Sequence, residues 1–121
     1  MYDSALSDYM AGQYDIAVLG FQEFIKSFPK SELADDAQVK ICNAYLNDHK
    51  DRAAADACDL AIRMYAGGNA IPEAYYRKGL ALANLRDYPG ARDAWETLIK
   101  NFPDSNEVTL ARQGLDRLRR P

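Results

Sequence analysis

The side chains able to do chemistry in this chain are few. They are one histidine, His49, two cysteines, Cys42 and Cys58, and carboxylates in the close sets Asp35-Asp36 and Asp48/Asp51. A histidine works as a base only beside a group it can deprotonate, and as a metal ligand only with further ligands at fixed spacing. His49 stands in the polar stretch Asn47-Asp48-His49-Lys50 with no second histidine in the chain, so it reads as a solvated turn residue. The carboxylates fall at helix ends, where negative charge offsets the dipole of an N-terminus. No CxxC, HExxH, GxSxG or phosphate-loop pattern occurs, so no catalytic residue, metal or cofactor is expected.

The cysteines are the exception. Cys42 and Cys58 lie equally far from residue 50. If a turn falls there, they face each other across two antiparallel helices. A disulfide needs Cα atoms within ~7 Å, whereas packed helix axes lie ~8–10 Å apart. A bridge closing a loop of ~15 residues and two reduced, buried thiols both fit the sequence, with the axis spacing tipping the balance toward thiols.

The elements that position these residues repeat. Phe28, Tyr65 and Phe102 recur every 37 residues, and proline follows the first and third. Ala17, Ala54 and Ala91 share that register, as do Phe21, Cys58 and Trp95, the small row Ala5, Cys42 and Gly79, and Ile25, Ile62 and Ile99. Such a period marks stacked supersecondary units. Ala17, Phe21, Phe24, Ile25 and Phe28 follow the one-face spacing of an α-helix. Breakers at Pro29, Gly67-Gly68 and Pro103 separate units, and Gly12-Gln13, Asp48–Lys50 and Arg86-Asp87 mark turns within them. The pattern predicts helices near 2–11, 14–28, 33–47, 51–66, 70–86, 88–102 and 106–119. The last has one apolar stripe, Val108, Ala111, Leu115 and Leu118, and suits a cap on the final unit.

Composition narrows the function. With 121 residues, 48% apolar and 27% charged, the chain is a single folding unit with no apolar run long enough for a membrane helix. A net charge of -3 argues against nucleic acid as partner. Residues 1–37 hold seven acids and two bases, whereas residues 75–121 hold six acids and nine bases, including Arg112, Arg117, Arg119 and Arg120. End-to-end association of acidic and basic poles is therefore one alternative function.

The spacing small-x11-Ala-x3-aromatic, with proline eight residues on, resembles the tetratricopeptide repeat (TPR). Tyr75, Gly79, Tyr88, Ala91, Trp95 and Pro103 carry it in the third unit, and Ala5, Gly12, Tyr14, Ala17, Phe21 and Pro29 in the first. The second is degenerate, with Cys42, Cys58, His49, Asp51 and Ala66 at signature positions. The resemblance implies an all-α, right-handed TPR solenoid. Its single domain, 1–121, comprises units near 1–31, 32–68 and 69–105 and a capping helix at 106–119.

The opening Tyr2-Asp3-x-Ala5, Gly12-Gln13-Tyr14-Asp15-x-Ala17 and Phe28-Pro29-x-Ser31 is similar to bacterial cell-envelope TPR domains, most of all the Tol–Pal-associated periplasmic family. That family implies a periplasmic scaffold in cell division and outer-membrane constriction. Its partners would be the Tol–Pal inner-membrane protein and a peptidoglycan synthase, and a coiled coil outside this chain would make it oligomeric. The chain is then a domain excised from a longer protein. The lipoprotein of the outer-membrane barrel-assembly machinery shares the stretched repeat and is the alternative.

TPR domains bind partners along the first helix of each hairpin. That implies a concave site of Tyr2, Leu6, Tyr9 and Met10, then Val39, Asn43, Leu46 and Asn47, then Tyr76, Arg77, Leu80 and Asn84. Tyrosines and leucines give contact area, and the asparagines suit a partner's backbone. The carboxylate-clamp pattern of TPRs that hold acidic C-termini is matched only at Asn43 and Arg77, so such tails are not expected here.

Overall fold

The computed structural model describes residues 1–119. Seven helices form among them: α1 (Tyr2–Met10), α2 (Tyr14–Ser27), α3 (Ala34–Asn47), α4 (Asp51–Met64), α5 (Ile71–Asn84), α6 (Tyr88–Asn101) and α7 (Glu107–Arg119). Each agrees with its sequence-predicted span to within a few residues at either end. Successive helices pack antiparallel, and α3 also meets α5 and α5 meets α7. The odd-numbered helices thus line one side and the even-numbered helices the other, the arrangement of a TPR solenoid.

The 37-residue aromatic has a backbone role. Phe28, Tyr65 and Phe102 cap the C-termini of α2, α4 and α6 with φ of -135°, -131° and -132°. The same turn follows each one: Ser31, Gly68 and Ser105 donate their N–H to these residues' carbonyls at 3.0, 2.8 and 3.0 Å. Turns within hairpins repeat as strictly. Gly12, His49 and Arg86, again 37 apart, adopt positive φ of 80°, 60° and 63°. The following residues, Gln13, Lys50 and Asp87, donate to Asp8, Tyr45 and Leu82 carbonyls at 2.8, 2.9 and 2.8 Å.

Only the first unit places glycine in that left-handed position. A side chain there costs ~1–2 kcal/mol, less what glycine loses in unfolded-chain entropy. Arg86→Gly, at an exposed site, is therefore expected to raise the unfolding free energy by roughly 0.5–1 kcal/mol in urea titrations. An unchanged or lower midpoint would contradict this reading of the turn.

In the first unit Tyr2 packs on Phe21 and Phe24, with ring centroids 5.6 and 5.4 Å apart, and Tyr9 packs on Tyr14 at 5.9 Å. The third unit is centred on Trp95, which is 1% exposed. The middle unit has no ring at the position of Phe21 and Trp95. Its α4 is rich in alanine, with Ala54, Ala55, Ala57 and Ala61 buried, and Cys42 is bonded to Cys58 with Cα atoms 5.2 Å apart. The balance toward reduced thiols is corrected here. Each Cα sits ~2.3 Å off its helix axis, so axes ~8–10 Å apart leave roughly 3–6 Å between Cα atoms that face each other.

Units are also tied by polar contacts. Lys78 on α5 bonds Asp59 on α4 at 2.9 Å, and this bond, with Arg63 assisting, holds the Asp59 carboxyl below its ordinary pKa. Asp35, 8% exposed, accepts from the Ala70 N–H at 3.0 Å at the start of α5. Gly68 lies so close beneath Asp35 that any Cβ there would overlap its carboxylate. Arg112, Arg117 and Arg119 are exposed on α7, while Arg120 lies outside the described residues.

Candidate functional site: the concave face

Helices α1, α3 and α5 present the side chains expected to meet a partner. Leu6, Tyr9, Leu46, Tyr76 and Leu80 are half-buried, each anchored in the packing yet open to the concave side. Met10, at 77% exposed, Asn47 and Asn84 stand in solvent, and Asn84 donates to Asp51 at 3.1 Å. Two expected residues are not available. Val39 is 1% exposed and Asn43 5%. Val39 occupies the repeat position of Tyr2 and Tyr76 with a much shorter side chain that stays within the packing.

Two acids missing from the sequence-based set organise this face. Asp36 accepts a hydrogen bond from the Tyr2 hydroxyl and pairs with Lys40 at 3.3 Å. Burial, then this hydrogen bond, raises the Tyr2 phenol well above its ordinary pKa. Glu73 accepts from Asn43 Nδ2 at 2.8 Å and lies 3.5 Å from Arg77 Nε. The Arg77 guanidinium also sits over the Tyr76 ring at 5.5 Å, a cation–π contact. Both acids stand four residues before a cation, at equal positions 37 apart. That doubled spacing was the available signal for them.

Asn43 Oδ1 and Arg77 Nε are buried without a hydrogen-bond partner. Both atoms are enclosed by the packing, and Arg77 Nε still pairs by charge with Glu73. A second concavity, an apolar cleft of ≈500 Å³ lined by Ile25, Ile41, Tyr45, Ala57 and Leu60, opens between the outer helices α2 and α4. Among the described residues no unsatisfied side-chain atom lies in it. His49 is exposed in its turn, and among the described residues no group of His, Cys, Asp or Glu is arranged to hold a metal. Among the described residues no helix is long and apolar enough to cross a membrane.

Known proteins give the fold and its family. Two solved TPR domains superpose closely, each 21% identical. The second TPR domain of human RPAP3, in complex with an HSP70 peptide, gives a TM-score of 0.81 over 98% of this chain and 92% of that one. The first TPR of Spaghetti (RPAP3), bound to an HSP90 peptide, gives 0.77 over 97% and 89%. Among curated proteins, the outer membrane protein assembly factor BamD of Xylella fastidiosa is 26% identical in strain Temecula1 and 25% in strain 9a5c, over 98% of this chain. The chain spans about half, 47%, of the length of these relatives.

The YfiO family model, described as outer membrane lipoprotein, matches residues 1–120. Of the two envelope families that share the stretched repeat, the match falls on this one, and the Tol–Pal assignment, with its cell-division partners, gives way to it. A three-hairpin TPR solenoid with an apolar, amide-bearing inner face is thus the form taken here by a member of the YfiO outer membrane lipoprotein family, to which this chain belongs.

Proposed function

We propose that this domain is a non-enzymatic scaffold of outer-membrane protein assembly, working on the periplasmic side of the envelope. Its concave face holds an extended segment of a client or partner protein. The observation that carries this reading is the inner face itself, where Leu6, Tyr9, Leu46, Tyr76 and Leu80 stand half-open beside the exposed amides of Asn47 and Asn84. Segments of outer-membrane barrels alternate apolar and polar residues over ~10 positions and need backbone partners until their strands pair. The leucines and tyrosines would take alternate apolar side chains, and the exposed Asn47 amide a peptide N–H and C=O. Residues 1–121 act as one binding unit, with hairpins near 1–31, 32–68 and 69–105 and the cap at 106–119.

Calorimetric titration with a peptide copied from one barrel strand of the same organism tests this. Saturable binding is expected, weakened about 10-fold by Tyr76→Leu. Leucine keeps apolar packing against Trp95 but removes the ring and hydroxyl. Absence of heat at high concentration, or binding indifferent to Tyr76→Leu, would overturn the reading.

A further inference from the structure

The concave face carries one polar arrangement twice. Asp36 on α3 and Glu73 on α5 each pair with a cation one turn on, Lys40 at 3.3 Å and Arg77 at 3.5 Å. Each also reaches back to the preceding inner helix, Asp36 to the Tyr2 hydroxyl and Glu73 to Asn43 Nδ2. At the next position in register stands Leu110, 42% exposed, so the arrangement stops at α5. The second copy is the more enclosed, because Asn43 is 5% exposed and has no other polar partner. An amide N–H and a guanidinium converging on one point form a carboxylate-binding pair. Here the carboxylate they hold is the chain's own.

We propose that Glu73 is the resident occupant of a carboxylate-binding position. Through it, the groove refuses segments bearing acidic side chains or a free C-terminal carboxylate and admits neutral or cationic ones. This rests on the concave face being the binding face, and adds the charge of what that face accepts. An incoming carboxylate finds Asn43 Nδ2 and Arg77 already engaged and meets the like charges of Glu73 and Asp36, repulsions that a half-buried site screens poorly. A neutral segment meets no such cost.

The test uses two short peptides, one alternating Val and Glu with a free C-terminus, the other alternating Val and Gln with an amidated one. The natural chain is expected to bind the Gln peptide at least ~10-fold more tightly. Glu73→Ala, with its helical circular dichroism intact, is expected to narrow that ratio ~10-fold by gaining affinity for the Glu peptide, and Asn43→Ala added to it to remove the gain. A ratio unchanged by Glu73→Ala overturns the proposal. If Glu73→Ala loosens the α3–α5 packing, Glu73→Gln decides instead: it keeps an acceptor for Asn43, loses the charge, and is expected to narrow the ratio several-fold. If the natural chain binds neither peptide, the groove reading above falls. Glu73→Ala then decides alone, with gain of the Glu peptide sustaining the resident carboxylate and no gain ending it.

Discussion

Replacing Trp95 by alanine is expected to remove about 3–5 kcal/mol of stability, more than any other single core truncation in this chain. The indole is 1% exposed and is the largest fully buried side chain. It lies where three helices meet. From α6 it stacks on Tyr76 of α5 at 6.4 Å and donates Nε1–H to the Tyr76 carbonyl at 3.1 Å. It is also the nearest neighbour of Gly79 on α5 and of Gly114 on α7. A Cβ at Gly79 would overlap the indole nitrogen, and one at Gly114 would come within 2.6 Å of the six-membered ring. The two glycines are therefore the sockets that let α5 and α7 close on the ring.

Deleting the indole leaves a cavity beneath the capping helix and removes the hydrogen bond that ties α6 to α5. Gly79→Ala should err in the opposite direction, displacing the ring at a cost of roughly 1–3 kcal/mol. Urea titrations of the natural chain and both variants measure these losses. A Trp95→Ala loss below ~1 kcal/mol would mean that α7 is not held through this residue.

The second large effect belongs to the middle hairpin. Reducing the Cys42–Cys58 bond is expected to lower the unfolding free energy by about 3 kcal/mol, the chain-entropy value for a loop of this length, the cysteines being 16 residues apart. At the position where the outer units place Phe21 and Trp95, this unit has Cys58, and α4 offers mostly methyl groups. The bond replaces the area a ring would have buried. Comparing oxidised and reduced natural chain isolates the cross-link, since no atom but hydrogen is added and both cysteines are fully buried. Coincident unfolding curves would show that alanine-close packing of α3 on α4 suffices without it.

Much of the architecture was legible because the repeat is enforced by backbone geometry. Phe28, Tyr65 and Phe102 recur since each closes the same turn, and Gly12, His49 and Arg86 since each takes the same left-handed position. That also explains the wrong choice of envelope family. Gly12, Tyr14, Pro29 and Ser31 answer to turns and caps that any stretched TPR unit needs, so they identify the unit without identifying its partners.

The inner face was only half legible. Repeat register places Val39 on it, but register does not tell that a side chain so much shorter than Tyr2 and Tyr76 stays within the packing. Asp36 was read as a charge at a helix end, and Glu73 was not singled out. Their role across helices depends on the inter-helix distance, which periodicity within one helix does not contain. The same gap, axis spacing against facing Cα spacing, misjudged the cysteine pair.

The central claim is that the face built by α1, α3 and α5 is where a partner segment lies. Amide and side-chain NMR spectra recorded while the barrel-strand peptide is titrated into the folded chain test it most directly. The account expects shifts confined to the inner row, at Leu6, Tyr9, Asn43, Leu46, Asn47, Tyr76 and Leu80, including the buried Asn43 side-chain amide. Shifts centred instead on Ile25, Tyr45 and Leu60 would move the site to the outer cleft between α2 and α4 and contradict it.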